Sequence, residues 1–565
     1  MTGISSSTFL TQSIMAGEDW RGLELAVMRL LGHCGWSNIQ DVGETGDKGA
    51  DILAVRENPQ NAACETFLIQ VKAATGSVYI GSSAIEQAIQ GQAHYGAKIA
   101  VVATNGDFTK SAVVRQHKLK SQGFDLRLWN GIFLNQLLSK WGDYPQTRRD
   151  PRPYQAQIIK DIVSNYDQSR KKSFFIVATG LGKTVIASTA TNLLYQRGLQ
   201  KVLVLCHSVD LAQQLQREFW PQIPKSVPTR LFMDGEPPVP VNGINFGLYQ
   251  TLYGYLGGID KDAFDLIIVD EAHHALSNAF ATCIERLEPK HLIGMTATPW
   301  RGDGATIDSI FGEPIARVSL IDGMRMGFLA RVDYRLMCDN IEWNEVPKLA
   351  RMSLSIKDLN KRLFVPQRDE AVIDSIQAAL KEFDNPRIAV FSPSKTHAEE
   401  FARKLTLAGI TSASASIGDK VKRRRVLMDF AAGKIIALTS VDVLNEGIDL
   451  PNLNILVFLR ATHSRRIFIQ QLGRGLRLAP GKEKVIVLDF VTDIRRLAAV
   501  KDLDREAKEE PKPGTVETVY LRDGIVKFSN KKSQAFVDAW LEDVAGLEES
   551  DEAEKLTFPD SEVFT

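Results

Sequence analysis

Short unbroken apolar runs alternate with amphipathic stretches from Tyr154 to about residue 490. They fall at Ser173–Val177, Lys201–Cys206, Leu266–Val269 and His291–Met295, and again at Arg387–Phe391, Ile435–Thr439, Ile455–Leu459 and Val485–Leu488. Runs this short and this apolar read as strands buried on both faces, the pattern of a parallel sheet between helices. Two sets in succession predict two α/β domains, and 320–385 between them reads as a helix-rich bridge. Residues 18–140 have another rhythm. A helix over Trp20–Leu31 precedes strands at Asp51–Val55 and Phe67–Ala73, and a helix over Ser83–Ala97 follows. A strand (Lys98–Ala103) and a helix (Lys110–Lys120) complete this α/β unit, and a charged, proline-containing joint at 144–153 ends it. Past residue 500 we expect one helix, Ser533–Leu547, then solvated acidic chain from Glu548 to Glu554.

At 565 residues the chain exceeds what one core can organise. No apolar run reaches the roughly 18 residues of a membrane span. The Ser/Thr-rich start lacks the basic and apolar regions of a signal peptide. Cys34, Cys64, Cys206, Cys283 and Cys338 follow no paired spacing, which fits reduced thiols in a cytoplasm better than disulfides or zinc. The net charge is zero but uneven. Residues 1–145 hold 12 basic and 13 acidic side chains, 146–500 hold 47 and 38, and 501–565 hold 9 and 17. The middle of the chain is therefore basic, as contact with a phosphate backbone requires.

The first chemical motif is Ala178-Thr179-Gly180-Leu181-Gly182-Lys183-Thr184, which follows the apolar run ending at Val177. A glycine-rich turn from strand into helix points backbone N–H groups at phosphates. Lys183 then reaches the outer phosphates and the Thr184 hydroxyl ligates Mg²⁺. Asp270 and Glu271 follow Leu266–Val269 at the carboxyl end of a strand, where ligands of parallel sheets bind. Asp270 suits the Mg²⁺, and Glu271 suits polarisation of an attacking water. Almost 300 residues beyond Lys183 comes Gln470-Gln-Leu-Gly473-Arg474-Gly475-Leu-Arg477. Its arginines are suited to the charge that develops on a γ-phosphate. Halves this far apart predict an ATP site built between two domains.

In this order the motifs resemble those of superfamily 2 helicases, the type found in restriction-enzyme motor subunits and DEAD/DEAH-box proteins. Arg152-Pro-Tyr-Gln155 resembles the adenine-recognising element, and Cys206-His207-Ser208 resembles motif Ia. Thr296-Ala-Thr298-Pro resembles motif III, and Val390–Ser394 motif IV. Thr439 through Pro451, with Gly447 and Asp449, resembles motif V, and Gln470–Arg477 motif VI. The resemblance covers about 148–500 and implies two RecA-like domains. It implies ATP and Mg²⁺ at Arg152, Gln155, Thr179, Gly180, Gly182, Lys183, Thr184, Asp270, Gly447, Asp449 and Gln470, with Glu271, Arg474 and Arg477 catalytic. It also implies nucleic-acid contacts at His207, Ser208, Thr296, Thr298 and Thr439, and a coupling role for His273. Asp-Glu-Ala-His at 270–273, together with the bridge, leans towards DNA translocases.

A second chemistry sits at Gly46-Asp-Lys-Gly49-Ala-Asp51 and Gln70-Val-Lys72. A carboxylate opening one strand and a Gln-x-Lys on its neighbour can converge at one sheet edge. Asp51 would hold a divalent ion, with the Gln70 side-chain oxygen or the Val71 main-chain oxygen completing the shell and Glu24 reaching it from the first helix. Lys72 would orient the attacking water or steady the phosphate. With Trp20–Glu24, Leu30–Trp36 and Asp125–Gly131, these residues resemble the Mrr family of restriction endonucleases over 18–140. Gln70 stands where most such nucleases carry Glu.

The expected architecture is an α/β nuclease-like domain (1–145), two RecA-like parallel-sheet domains (146–325 and 326–500) and an acidic tail (501–565). The implied activity is an ATP- and Mg²⁺-dependent DNA helicase or translocase fused to an endonuclease, in restriction or antiviral defence, with DNA and a separate specificity subunit as partners and no membrane. One alternative makes the first domain a silent DNA-binding module on the motor. Another makes the motor an RNA helicase.

Overall fold

The computed structural model describes residues 8–43, 49–57, 64–76, 78–232, 235–236, 238–276, 278–297, 307–337, 341–349, 351–364, 369–416, 418, 420–441, 452–459, 472–473, 475–490, 493–509, 521, 524–528, 531, 534–535 and 555–557. The expected helix Ser533–Leu547 lies almost wholly outside them. The chain forms two compact units. One comprises Met1–Ser173, Thr184–Asp270 and Ser277–Gly294, and the other Phe174–Lys183, Glu271–Leu276 and Met295–Thr565. No described helix is long and apolar enough to cross a membrane.

The first unit opens with helices α1 (Gln12–Met15) and α2 (Trp20–His33); Asp19 caps α2 by accepting the Gly22 N–H at 2.7 Å. Strands β1 (Ser37–Asp41), β2 (Ile52–Glu57), β3 (Cys64–Lys72), β4 (Ile99–Thr104) and β5 (Leu126–Trp129) then form a sheet in sequential order. The first three run antiparallel, and the β3–β4 and β4–β5 pairs are parallel. Parallel neighbours need crossovers, which α3 (Ser82–Tyr95) and α4 (Lys110–Ser121) supply before α5 (Gly131–Ser139) closes the domain.

Helices α6 (Pro153–Asp167), α7 (Lys183–Gln196) and α8 (Val209–Phe219) belong to the motor region. Strand β6 (Lys172–Val177) falls mainly in the second unit. In the first unit, β7 (Lys201–Cys206), β8 (Thr229–Leu231), β9 (Gly243–Leu248), β10 (Leu266–Val269) and β11 (His291–Thr296) run in the order β11-β10-β7-β9-β8, all parallel.

A buried junction joins the nuclease-like sheet to this motor sheet. Arg29 of α2 is buried and donates to the carbonyls of Val227 (2.8 Å) and Pro224 (3.0 Å), with its guanidinium 4.5 Å from the Phe9 ring centre. Burial pushes its pKa down to about 9. The Lys225 ammonium donates to the Trp141 carbonyl at 2.9 Å, and the His33 ring meets the Gly142 carbonyl at 2.9 Å. Asn192 of α7 donates to the Tyr144 hydroxyl at 2.9 Å. The chain entering the proline-containing joint is thus bonded down, and within the joint the Arg149 carbonyl accepts from Gln222 Nε2 at 3.2 Å.

In the second unit β6 pairs in parallel with β12 (Ala316–Val318). Next come β13 (Arg331–Met337), β14 (Ser353–Ser355), β15 (Ile388–Phe391), β16 (Ser412–Ser414), β17 (Ala437–Ser440), β18 (Ile455–Phe458), β19 (Lys484–Phe490) and β20 (Val526–Phe528). Seven of them form a sheet ordered β16-β17-β15-β18-β19-β13-β20, and β14 pairs with Lys555–Thr557. The expected helix-rich bridge therefore needs correction: 331–337 is a strand paired with β19 along its whole length. Its apolar residues, Val332, Tyr334 and Leu336, alternate with charged ones, unlike the solid runs of its neighbours. Those charges are satisfied laterally, Arg335 pairing with Asp333 (2.7 Å) and Glu382 (2.6 Å), and Lys527 with Asp333 (2.9 Å).

Candidate active sites

Ala178 ends β6 in a turn, and Gly180 (φ +87°) and Gly182 (φ +82°) carry the chain through left-handed backbone into α7. Lys183, the first residue of that helix, places its ammonium 2.9 Å from Glu271 Oε1. Glu271 itself has φ +46°, a conformation that costs a non-glycine residue free energy. Its other oxygen accepts from the Thr296 hydroxyl at 3.4 Å, and the His273 ring meets the same hydroxyl at 2.9 Å. Lys183, Glu271, His273 and Thr296 therefore form one cluster inside the second unit. Thr296 is fully buried, and Thr439 is too, with its hydroxyl donated to the Ala398 carbonyl at 2.6 Å. Both hydroxyls are spent within the protein.

Motif VI packs on the phosphate loop. A Cβ built on Gly180 would stand 2.7 Å from the Gly473 carbonyl oxygen and 3.4 Å from Arg477 Cγ. One built on Gly473 would stand 2.8 Å from Thr179 Cβ. Gly475 is equally confined, with Leu456 Cδ1 at 2.5 Å. Both glycines beside Arg474 are there because no side chain fits. Leu329 forms a bridge with Arg477, and the Ala330 N–H donates to the Leu476 carbonyl at 2.9 Å. These two contacts from the head of β13 were missed by sequence reasoning. Arg474, Gln470, Gly447, Asp449 and Thr298 lie outside the described residues.

In the first unit, Asp270 closes β10 with its N–H on the Leu205 carbonyl (3.1 Å) and is 5% exposed. Burial of the Cys206 thiol, and then the Asp270 charge, push that thiol up. Thr184 is half-buried on α7. Ser208 caps α8, accepting the Leu211 N–H at 3.3 Å, and His207 is half-buried beside it. Gln155 accepts the Arg152 N–H at 2.8 Å, closing the first turn of α6.

At the nuclease-like sheet, the register of β2 against β3 pairs Ile52 with Ile69, which puts Asp51 beside Gln70 and Val71. Asp51 Oδ2 accepts from Gln70 Nε2 and from the Val71 N–H, both at 2.5 Å. Asp51 is 6% exposed and Gln70 1%. The Gln70 oxygen is buried and has no hydrogen-bond partner among the described residues. Such an orphan costs free energy unless something positive meets it. A hard oxygen donor beside a carboxylate fits a divalent ion such as Mg²⁺. No group of three His, Cys, Asp or Glu assembles among the described residues, so carboxylates are scarce at this site. Lys72 ends β3 opposite Thr104, half-buried, and Glu24 is half-buried on α2. Gly49 (φ +83°) precedes Asp51, and a Cβ there would collide with the Gln87 carbonyl oxygen at 2.0 Å. Helix α3 thus seats the loop that carries Asp51. Glycine at 91, inside that helix, was the available signal, since its Cβ would meet the Gly49 oxygen at 2.6 Å.

Family models match the chain in three places. The restriction endonuclease model covers 15–138, the res subunit of type III restriction enzymes 148–301, and the helicase conserved C-terminal domain 370–479. The chain thus carries a restriction-endonuclease domain followed by the two domains of a helicase. These domains imply use of ATP and a divalent metal. The putative ATP-dependent helicase IRC3 of Saccharomyces cerevisiae is 24% identical over 356 residues, 60% of this chain and 51% of that protein. The type I restriction enzyme EcoAI endonuclease subunit of Escherichia coli is 25% identical over 403 residues, 64% of this chain and 49% of that protein. The chain thus spans about half the length of these curated relatives. A DNA-bound ATP-dependent type ISP restriction-modification enzyme, LlaBIII, shares its fold (TM-score 0.51, 15% identity, 90% of this chain and 40% of that one).

Proposed function

We propose that this chain is an ATP-driven DNA translocase or helicase whose N-terminal domain is a metal-dependent endonuclease, acting in restriction or antiviral defence. The nuclease occupies 1–145, the motor domains 146–325 and 326–500, and 501–565 is an acidic tail. The observation that carries the reading is the packing of Gly473 and Arg477 on Thr179 and Gly180, next to the Lys183–Glu271 pair. Relatives named as ATP-dependent helicase and restriction endonuclease subunit support it.

In the motor, Lys183 neutralises the outer phosphates, Thr184 and Asp270 hold Mg²⁺, and Glu271 orients the attacking water. Arg477 and Arg474 bring positive charge to the γ-phosphate, and His273 and Thr296 tie Glu271 to the next strand. Arg152, Gln155, Gly447, Asp449 and Gln470 complete the nucleotide site, while His207 and Ser208 face the DNA backbone. In the nuclease, Asp51 and Gln70 supply oxygens to a divalent ion, with Glu24 of the first helix as a further ligand. Bound there, such an ion supplies Lewis acidity to the phosphodiester. Lys72 orients the attacking water. A separate subunit supplies target specificity.

The test is ATP turnover and DNA cleavage by the same preparation. Lys183→Ala should abolish DNA-stimulated turnover, and Lys72→Ala should lower cleavage by about 10²-fold or more. Stimulation by RNA but not DNA would overturn the assignment. A second reading, a silent DNA-binding module, draws on Gln70, which sets a neutral amide rather than a second carboxylate against Asp51. Absence of cleavage by the unaltered chain on linear, circular, forked and modified DNA would favour it.

A further inference from the structure

Beyond Lys72 the nuclease-like sheet carries a cleft that the phosphodiester chemistry does not use. It measures about 310 Å³ and lies among the loops that follow β3, β4 and β5. Lys72 and Thr104 are register partners, so the cleft opens four residues past Lys72 and one past Thr104, at the same sheet end as Asp51 and Gln70.

The cleft is built before any ligand arrives. Asn105, buried in its floor, spends its whole amide: Oδ1 accepts the Ala74 N–H (2.7 Å), and Nδ2 donates to the carbonyls of Ala74 (2.7 Å) and Met15 (3.1 Å). The Ile80 N–H donates to the Asp107 carbonyl (2.9 Å), and the Gly131 N–H to the Gly106 carbonyl (2.9 Å). Gly131 admits no side chain, because its Cβ would lie 2.0 Å from the Asn105 carbonyl oxygen. The three loops are therefore stitched together by backbone.

The walls are apolar and wet. Val78 and Tyr79 are each 58% exposed and Ile132 is 66% exposed, a costly arrangement for a surface without a partner. Two polar groups line the same cleft with fixed orientation. Asp107 Oδ1 accepts from the Phe108 N–H (2.8 Å) and Asn130 Nδ2 (3.2 Å), and Asn130 Oδ1 accepts the Phe133 N–H (2.9 Å). Asp107 Oδ2 accepts no hydrogen bond among the described residues, and one Asn130 N–H stays available. The cleft thus offers an acceptor next to a donor, between faces that suit a flat ring.

The geometry points to a nucleobase pocket: one unstacked base of the DNA strand, held between Tyr79 and Ile132 and read by Asp107 and Asn130. Each base presents an adjacent donor and acceptor on its Watson–Crick edge, which is the complement of this pair. A phosphate is turned away by the Asp107 carboxylate. The ring stacks on Tyr79, and its strand continues to the Asp51–Lys72 edge, so the pocket sets which phosphate is presented there. This inference rests on the nuclease reading above.

The test uses the full chain, without ATP and with EDTA, binding single-stranded oligonucleotides that carry one 2-aminopurine. The expected result is quenched emission on binding. Tyr79→Ala and Ile132→Ser should each remove most of the quenching and weaken binding about tenfold, the weight of one base stacked on a side chain. An abasic nucleotide at the quenched position should weaken binding to the unaltered chain similarly. Both side chains are exposed, so an unchanged melting temperature certifies folding. Quenching and affinity that match the unaltered chain in both variants would overturn the pocket. Because no metal is present, a nuclease reading that fails leaves the quenching in place, whereas a pocket that fails leaves Mg²⁺-dependent cleavage in place.

Discussion

Gln70 shows how one side chain sets the character of a site. Its amide nitrogen donates to Asp51, and its oxygen is left buried without a partner among the described residues. Glutamate at 70 would put two carboxylates within hydrogen-bonding reach of each other, and each would resist ionisation of the other. Gln70→Glu should therefore lower stability in EDTA by about 2 kcal/mol, the usual worth of a hydrogen bond to a charged group. Saturating Mg²⁺ should raise the melting temperature of the variant more than that of the unaltered chain, because binding to the folded state alone stabilises it. Equal Mg²⁺ shifts in a thermal melt of the two proteins would dismiss Asp51 and Gln70 as a metal pair. Glu271 is the corresponding case in the motor: its backbone is left-handed, and its carboxylate is held by Lys183 from the head of α7 and Thr296 from the end of β11.

At the scale of elements, α2 does two jobs. It covers the nuclease-like sheet and it anchors that sheet to the segment following α8, the helix capped by Ser208. Arg29 is the anchor, a buried cation satisfied by two carbonyls and a ring face. Its planar fork reaches both carbonyls at once, which an ammonium does not. Arg29→Met should strand the Val227 and Pro224 carbonyls and cost about 3 kcal/mol, read as a lower urea midpoint. Arg29→Lys should recover less than half of that loss. A midpoint unmoved by either substitution would mean that the junction contributes nothing to the fold. The strand β13 teaches a related lesson: its segment read as part of a helix-rich bridge, but lateral ion pairs let its alternating charged residues enter a sheet.

For the molecule as a whole, the acid response is expected to arise in the first unit. His33 and His291 both belong to the first unit, and burial holds both rings below their ordinary value of 6.5. His291 is bonded on both sides as a neutral ring, to Ser173 (3.0 Å) and to the Arg170 carbonyl (2.9 Å). The unfolded chain then takes up protons before the folded one does. Their contribution is complete above 6.5 and declines as pH falls through 6.5 towards the depressed folded values. Asp265, held below the ordinary 3.8 in spite of its desolvation by the Lys290 ammonium and two backbone N–H groups, loses its contribution only in stronger acid. The first unit should melt at lower temperature at about pH 5.5 than at about pH 7.5, and the double variant His33→Gln/His291→Gln should flatten that slope. An identical slope in the variant would place the acid sensitivity elsewhere.

The chemistry of this chain was written locally. A glycine turn between an apolar strand and a helix, acids at a strand end and paired glycines around an arginine each need only a few neighbouring residues, so the sequence alone determined the motor motifs, the Asp51–Gln70–Lys72 set and most buried strands. What tertiary structure decided depends on partners far away in the chain. Arg29 meets Val227 across 198 positions, Gly180 has room for no side chain because Gly473 lies on it, and Gln87 on α3 seats the loop before Asp51. No local periodicity encodes such meetings. They follow from which strand lies beside which, and that order is settled only when the sheets close.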